Sequence, residues 1–529
     1  MSPGTTVRGL GAALVAMATM FATPAGASPA THAPVVATTG GLVRGVTADG
    51  NDQFLGIPYA APPVGALRWR PPQPAAPWPG VRDASEFASA CAQPPDPLSQ
   101  PSVSEDCLYL NVYTPSASPA RHRPVMVWIH GGGLTNGSSD LYDPTELVHD
   151  GVVVVTINYR LGALGFLAHP ALAGAPGGPA GNYGLMDQQA ALKWVTRNIT
   201  RFGGDSRNVT IFGESAGGLS VLSHLVSPTA RGLFDRAIVQ SGAYALELPS
   251  LAEAEASGQA FAAAAGCADQ SAACLRNLPV ATLLANQGSY VPNVDGRVLT
   301  RSIGPALTAG QFARVPVVNG TTHDEWRLFV AIGELQGFPV TAENYVAMIA
   351  STLGVPAEVA AAIAAQYPLS AYPSPAVALG AVGTDAVFAC PALTVDDAVS
   401  RFVPTFAYEF NDENAPSLLP PVSFPTGAAH AAELQYLFRL PVGGALSPEQ
   451  ERLADAMRRG WTTFAASGRP SGWVRYDTRT QRMMSLVPPR PVVETGFAAD
   501  HKCAFWDRIT PAAATASQTA PRATASPRP

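Results

Sequence analysis

The sequence predicts an α/β fold, with a mostly parallel central sheet and helices on both of its faces. Two observations carry that expectation. Short apolar runs rich in β-branched residues recur along the chain without polar alternation, which is how strands covered on both faces read. Between them lie stretches whose apolar residues fall at helical spacing, and strands alternating with helices wind a parallel sheet.

The strand candidates, in order, are Val125-Met126-Val127-Trp128-Ile129 and residues 152–158, 209–212, 237–240, 315–318 and 402–410. Helical patterns cover residues 186–198, where Met186, Ala190, Ala191, Trp194 and Val195 share a face, and residues 217–225. The Ala-rich stretches 251–285 and 341–378 read as helices over the sheet edge. A late helix spans 448–466, with Ser447 as cap, Pro448 in its first turn and Gly468 past its end. Residues 40–70 hold short β-like pieces, and the Pro-rich residues 71–80 read as loop.

The ends read differently. Residues 1–27 place Arg8 ahead of an apolar stretch and finish in Ala25-Gly26-Ala27, the pattern of a secretory signal cleaved after Ala27. That stretch is shorter than the roughly 20 residues needed to cross a bilayer. Every later apolar run is interrupted by charge, Pro or Gly, so no membrane anchor is expected. Residues 28–510 are expected to form a single catalytic domain. Residues 511–529, almost all Ala, Thr, Ser and Pro, cannot bury enough surface to order themselves and read as a disordered tail.

Composition excludes some functions. The chain is 47% hydrophobic and 14% charged, with 33 Lys plus Arg against 39 Asp plus Glu, a net charge of −6. No cationic field is available for a nucleic-acid partner. Export permits disulfides, and the six cysteines fall as near pairs, Cys91 with Cys107 and Cys267 with Cys274, leaving Cys390 with Cys503. No CxxC motif occurs, so neither a zinc knuckle nor a redox pair is expected.

The chemistry centres on Gly213-Glu214-Ser215-Ala216-Gly217, which lies between a strand and a helix. A serine on such a turn, flanked by small residues, is pushed into an exposed, strained conformation suited to a nucleophile. His130-Gly131-Gly132-Gly133 follows another strand, where a glycine loop brings N–H groups close to a substrate oxyanion, joined by the N–H of Ala216. His130 itself reads as structural. Serine needs a base and the base an orienting acid, in the chain order Ser, acid, His. Of the later histidines, His224 falls on the helix leaving Ser215, His323 lies in the acidic segment and His501 sits near the tail. His430 follows a loop after a strand and is the preferred base. Asp324 and Glu325 both follow the strand at 315–318, and spacing does not choose between them.

These residues resemble the type-B carboxylesterase and cholinesterase family of the α/β-hydrolase superfamily, from about Gly40 to Trp506. The resemblance rests on Phe54-Leu55-Gly56-Ile57-Pro58-Tyr59-Ala60, Ser104-Glu105-Asp106-Cys107-Leu108-Tyr109-Leu110-Asn111, Asn158-Tyr159-Arg160-Leu161, Gly181-Asn182-Tyr183-Gly184-Leu185-Met186-Asp187-Gln188 and the segment around Ser215. It implies an α/β-hydrolase fold and selects Glu325 as the acid. It implies oxyanion donors at Gly132, Gly133 and Ala216, and supporting roles for Glu214 and Ser241. The family's three disulfides map onto the three cysteine pairs. Two departures stand out. Leu134-Thr135 replaces an aromatic that many members carry after the glycine run, implying an altered acyl-pocket wall. The loop between Cys91 and Cys107 lacks tryptophan, which argues against choline recognition.

The expected activity is hydrolysis of small-molecule carboxylic esters by a secreted serine carboxylesterase, without metal or organic cofactor. Alternatives are a lipase or sterol esterase for long acyl chains and, from another class, a catalytically silent ectodomain that binds proteins. The sequence is silent on oligomeric state.

Overall fold

The structure is a computed structural model that describes residues 33–509, apart from 116, 118–120 and 174–179. The signal at residues 1–27 and the tail at 511–529 lie outside the described residues. Among these, eleven strands build the central sheet: β1 (Val46–Ala48), β2 (Asn51–Pro58), β3 (Tyr109–Thr114), β4 (Arg123–Ile129), β5 (Val153–Ile157), β6 (Gly204–Glu214), β7 (Arg236–Gln240), β8 (Val317–Thr322), β9 (Thr405–Phe410), β10 (Met483–Leu486) and β11 (Val492–Glu494). Their order across the sheet is β11-β10-β9-β8-β7-β6-β4-β5-β3-β2-β1. From β10 to β5 each neighbouring pair is parallel; β11 at one edge and β3, β2 and β1 at the other join antiparallel. A small second sheet joins Val35–Ala37, Leu42–Arg44 and Val81–Asp83.

Alternate residues explain the uninterrupted apolar runs. Val125, Val127 and Ile129 of β4 enter one core with Val153, Val155 and Ile157 of β5, while Met126, Trp128 and Val154 enter the other. Burying one such side chain is worth roughly 1.5–3 kcal/mol, so each face draws its own helices. The helices that matter below are α1 (Tyr183–Asn198), α2 (Ala216–Val226), α3 (Arg327–Leu335), α4 (Pro375–Gly383), α5 (Cys390–Val399), α6 (Pro448–Ser467) and α7 (Phe497–Asp500). Leu185, Leu192 and Val195 of α1 with Leu219 and Leu222 of α2 cover the first core. Leu453, Met457, Trp461 and Phe464 of α6 cover the second. The α6 cap is as expected: Ser447 accepts from Gln450 N, and Gly468 ends the helix with φ 78°.

Several boundaries move for identifiable reasons. The strand expected at 315–318 begins after Pro316 and runs on to Thr322, and that expected at 402–410 begins after Pro404. The stretch 251–285 splits into Leu251–Ala264, Ala272–Asn277 and Val280–Asn286, interrupted by Gly266 at φ 93° and by Pro279. The stretch 341–378 breaks at Gly354, whose φ is 63°, and at Pro368. One expectation is corrected outright. An apolar helical run of membrane-spanning length does exist, Pro375–Val399, because a π-helical segment, Thr384–Ala389, joins α4 to α5 without a break. With 78% of its apolar window buried inside the fold, it packs as a core helix.

All three cysteine pairs are joined, Cys91–Cys107, Cys267–Cys274 and Cys390–Cys503, with Cα separations of 4.9, 5.7 and 5.2 Å. Two ion pairs tie distant segments together. Arg160 donates to both oxygens of Asp187 at 2.7 Å, and Arg68 holds Glu105.

Candidate active site

The site is built where parallel strands end. Strand β6 finishes at Glu214, and Ser215 turns the chain into α2 with φ 55° and ψ −121°, a conformation that costs of order 1–3 kcal/mol in a non-glycine residue. The turn is held by Ser215 N donating to Gln240 O at 2.9 Å, and by the absence of a side chain at Gly217. A Cβ there would lie 1.9 Å from Ile129 O. Ser215 stays partly exposed while its neighbours are buried. Ala216 is the first residue of α2, so its N–H has no intrahelical acceptor and sits at the positive end of the helix.

The glycine run leaves β4 and passes over this turn. A Cβ on Gly131 would lie 2.7 Å from a Glu214 carboxylate oxygen and 3.1 Å from Ser215 Cβ. Gly132 and Gly133 have φ of 99° and 63° and are exposed. His130 stacks on Tyr159, whose hydroxyl donates to His130 O, and burial pushes its pKa down to about 4, which keeps it neutral. Leu134 is fully buried in the core, so Thr135 is the residue of that pair left partly exposed.

The acid and base loops are joined to each other. Asp324 N donates to Ala428 O, and Ala428 N donates back to the Asp324 carboxylate at 3.0 Å. His430 N donates to Glu325 O at 3.3 Å. The same Asp324 carboxylate pairs with Arg327 at 2.8 Å. A Cβ on Gly427, at φ 63°, would strike it at 2.1 Å. Asp324 is therefore a clasp. Glu325, fully buried, accepts from Thr321 Oγ1 at 2.5 Å and Thr322 N at 2.9 Å, and its other oxygen meets His430 Nδ1. Of the two adjacent carboxylates, it is Glu325 that meets His430, while Asp324 faces Ala428 and Arg327.

Charge explains the rest. Burial would raise the Glu325 carboxyl, but the His430 charge and the hydrogen bonds outweigh it and hold Glu325 below its usual range. Ser241, buried at φ 50°, lies beside that carboxylate and contributes to the lowering, although its hydroxyl makes no close hydrogen bond. Burial would lower His430, yet the charges of Glu214 and then Glu325 raise it to about 9. Its Nε2 lies 3.1 Å from Glu214 Oε1. Glu214 and Glu433 are both pushed up, first by burial.

Some neighbours were not evident from sequence. Phe329 and Phe388 flank the His430 ring at 5.2 and 5.0 Å. Glu433 accepts from Gln240, which in turn accepts from Trp461, extending the polar cluster behind His430. Only Glu433 had a local signal, its place three residues after His430. His224 is remote in role: it is buried against Gln188 and held neutral by burial, with its pKa pushed down to about 3.

A sequence profile described as the Carboxylesterase family matches residues 32–506. The chain belongs to the carboxylesterase family. Among its relatives are the fumonisin B1 esterase of Sphingopyxis macrogoltabida, 36% identical over 84% of this chain and 85% of that one, and the para-nitrobenzyl esterase of Bacillus subtilis (strain 168), 36% identical over 85% and 94%. The acetylcholinesterase of Bungarus fasciatus is 34% identical over 90% of this chain and 86% of its own length. As a member of the carboxylesterase family the chain has the α/β-hydrolase fold and is a carboxylic ester hydrolase.

Proposed function

We propose that this carboxylesterase is an exported serine enzyme that hydrolyses small-molecule esters through an acyl-enzyme. The observation that carries the reading is the strained, part-exposed Ser215, next in sequence to Glu214, whose carboxylate lies 3.1 Å from the Nε2 of a buried His430 that Glu325 holds at Nδ1. Ser215 Oγ attacks the ester carbon while His430 Nε2 takes its proton, and Glu325 stabilises the imidazolium. The N–H groups of Gly132, Gly133 and Ala216 receive the oxyanion. His430 returns the proton to the departing alcohol, then takes one from water, which releases the acid. Ser215→Ala should lower kcat by several orders of magnitude with folding intact, and a fluorophosphonate probe should label Ser215 in the parent enzyme. Near-normal turnover in the variant, or no labelling, would overturn this and return the partner-binding reading.

A second reading, preference for long acyl chains, draws support from α3. Its Phe329 borders His430, its last residue Leu335 is 45% exposed, and Phe338, just past the helix, is 67% exposed. Rates on p-nitrophenyl esters from acetate to palmitate separate the two: a rise with chain length favours the lipase.

Export is proposed from the signal-like residues 1–27, with support from three disulfides, which persist in oxidising compartments. Protein recovered from the medium should begin at Ser28.

A further inference from the structure

A second cluster of ionisable groups lies one strand away from the site and takes no part in the steps above. His323 follows β8 and Glu409 lies near the end of the adjacent parallel strand β9, so register brings them to the same end of the sheet; His323 N donates to Phe410 O. His501 ends α7 and is tied there by the Cys390–Cys503 disulfide, its carbonyl oxygen lying 3.3 Å from Cys390 Sγ. One ligand atom from each of His323, Glu409 and His501 falls within 4.8 Å of the others. His501 and Glu409 are 3% and 1% exposed, while the His323 side chain is 33% exposed and leaves a path to solvent.

The partners of these residues make the grouping more than an ion pair. Each histidine has its Nδ1 on a carboxylate: His501 on Asp385 at 2.6 Å, His323 on Asp324 at 3.1 Å. Both carboxylates are fixed in turn, Asp385 by the Tyr367 hydroxyl at 2.7 Å and Asp324 by Arg327 and Ala428 N. Carboxylates that hold Nδ1–H set the tautomer in which Nε2 carries a free lone pair, the arrangement that orients metal-binding imidazoles. His501 Nε2 lies 2.5 Å from Glu409 Oε1, and the other Glu409 oxygen accepts from Asn411 at 2.9 Å. Glu494 on β11 adds negative charge to the surroundings: it feels the charges of Glu409, His501 and His323, and its Oε1 is buried without a hydrogen-bond partner among the described residues. Four carboxylates against Arg327 and two imidazoles favour a cation.

We propose that His323, His501 and Glu409 form a site for a divalent first-row transition ion, zinc in the first place, separate from the catalytic groups. Two imidazoles and one carboxylate are a ligand set that zinc accepts in tetrahedral geometry. The ion takes the place of the proton between His501 Nε2 and Glu409 Oε1, and that proton leaves to solvent. Because His323 stands two residues before Glu325, the ion would pin the acid loop and the C-terminal segment to the sheet without touching substrate.

The test uses the full chain stripped with chelator and dialysed. Calorimetric titration with zinc chloride should show one ion per chain, and cobalt(II) should give visible absorption bands of a nitrogen- and oxygen-ligated tetrahedral ion. His323→Ala, at a part-exposed position, should keep the circular dichroism of the parent yet weaken zinc about a hundredfold and abolish the cobalt bands. Glu494→Gln should weaken zinc about tenfold and guards against misfolding of the first variant. No stoichiometric uptake, equal affinity in both variants, or a preference for calcium over zinc would each overturn the site. None of these readouts depends on ester hydrolysis.

Discussion

Ser215 and the glycine run are positioned by backbone: a strained turn, an N–H to Gln240 O, and glycines where a Cβ would collide. Glu325 and His430, one loop along the same sheet edge, are positioned by side chains: the Asp324 clasp, the Thr321 and Thr322 donors, and the surrounding glutamates. The first half is set by excluded volume at Gly131, Gly132 and Gly217, where an added methyl would collide. The second is set by charge and hydrogen bonds, and it tolerates isosteric change in shape while responding to any change in charge.

That contrast is open to breaking. Glu325→Gln keeps the shape and removes the charge, and should lower kcat by on the order of 10⁴ with little change in thermal midpoint, read from steady-state kinetics beside calorimetry. A loss under tenfold would show that shape, not charge, holds the base. Gly217→Ala adds one methyl where Ile129 O is 1.9 Å away; a displacement of the turn by about 1 Å should cost roughly 100-fold in kcat/KM, with a fall in stability of about 1–3 kcal/mol. Unchanged kinetics there would deny the steric account. Asp324→Ala unfastens the two loops while leaving Glu325 in place, so kcat should drop about tenfold with KM nearly constant, measured on chelator-treated enzyme.

The smallest effect is a shift in pH profile. In the proposed mechanism His430 must be neutral to take the serine proton, and its pKa is raised to about 9 by Glu214 first among the charges. The kcat/KM of the free enzyme should therefore climb with pH through that region. Glu214→Gln removes the largest raising charge, so the rising limb should move to lower pH; a limb that stays put or moves up would refute the assignment.

Much of this was legible in the sequence, for reasons that differ by residue. Strands β4 to β8 show as uninterrupted apolar runs because both of their faces are covered. Strands β3, β10 and β11 were not seen, since Tyr109–Thr114 mixes polar with apolar residues and the other two are short, β11 lying at the sheet edge with Val492 and Val493 exposed. Ser215, Gly132, Gly133 and His430 carry local signatures of strand, turn and glycine. The choice of Glu325 over Asp324 came from resemblance, because neighbours in sequence point to opposite tasks only once Gly427 and Ala428 are folded against one of them. Phe388, Gln240 and Trp461 had no local signal at all, being brought to His430 from distant elements. His501, set aside for its nearness to the tail, is buried and doubly paired.

The π-helical segment Thr384–Ala389 has a reach beyond joining two helices. It presents Phe388 to the His430 ring and Asp385 to His501, three residues apart, on a winding wider than the flanking α-turns. Each residue of an α-helix advances about 100° around its axis, so losing one residue from this segment would swing one of the two contacts away whichever end stayed fixed. A single-codon deletion here would thus be felt simultaneously in the wall of the ester site and in the anchorage of the chain's C-terminal end.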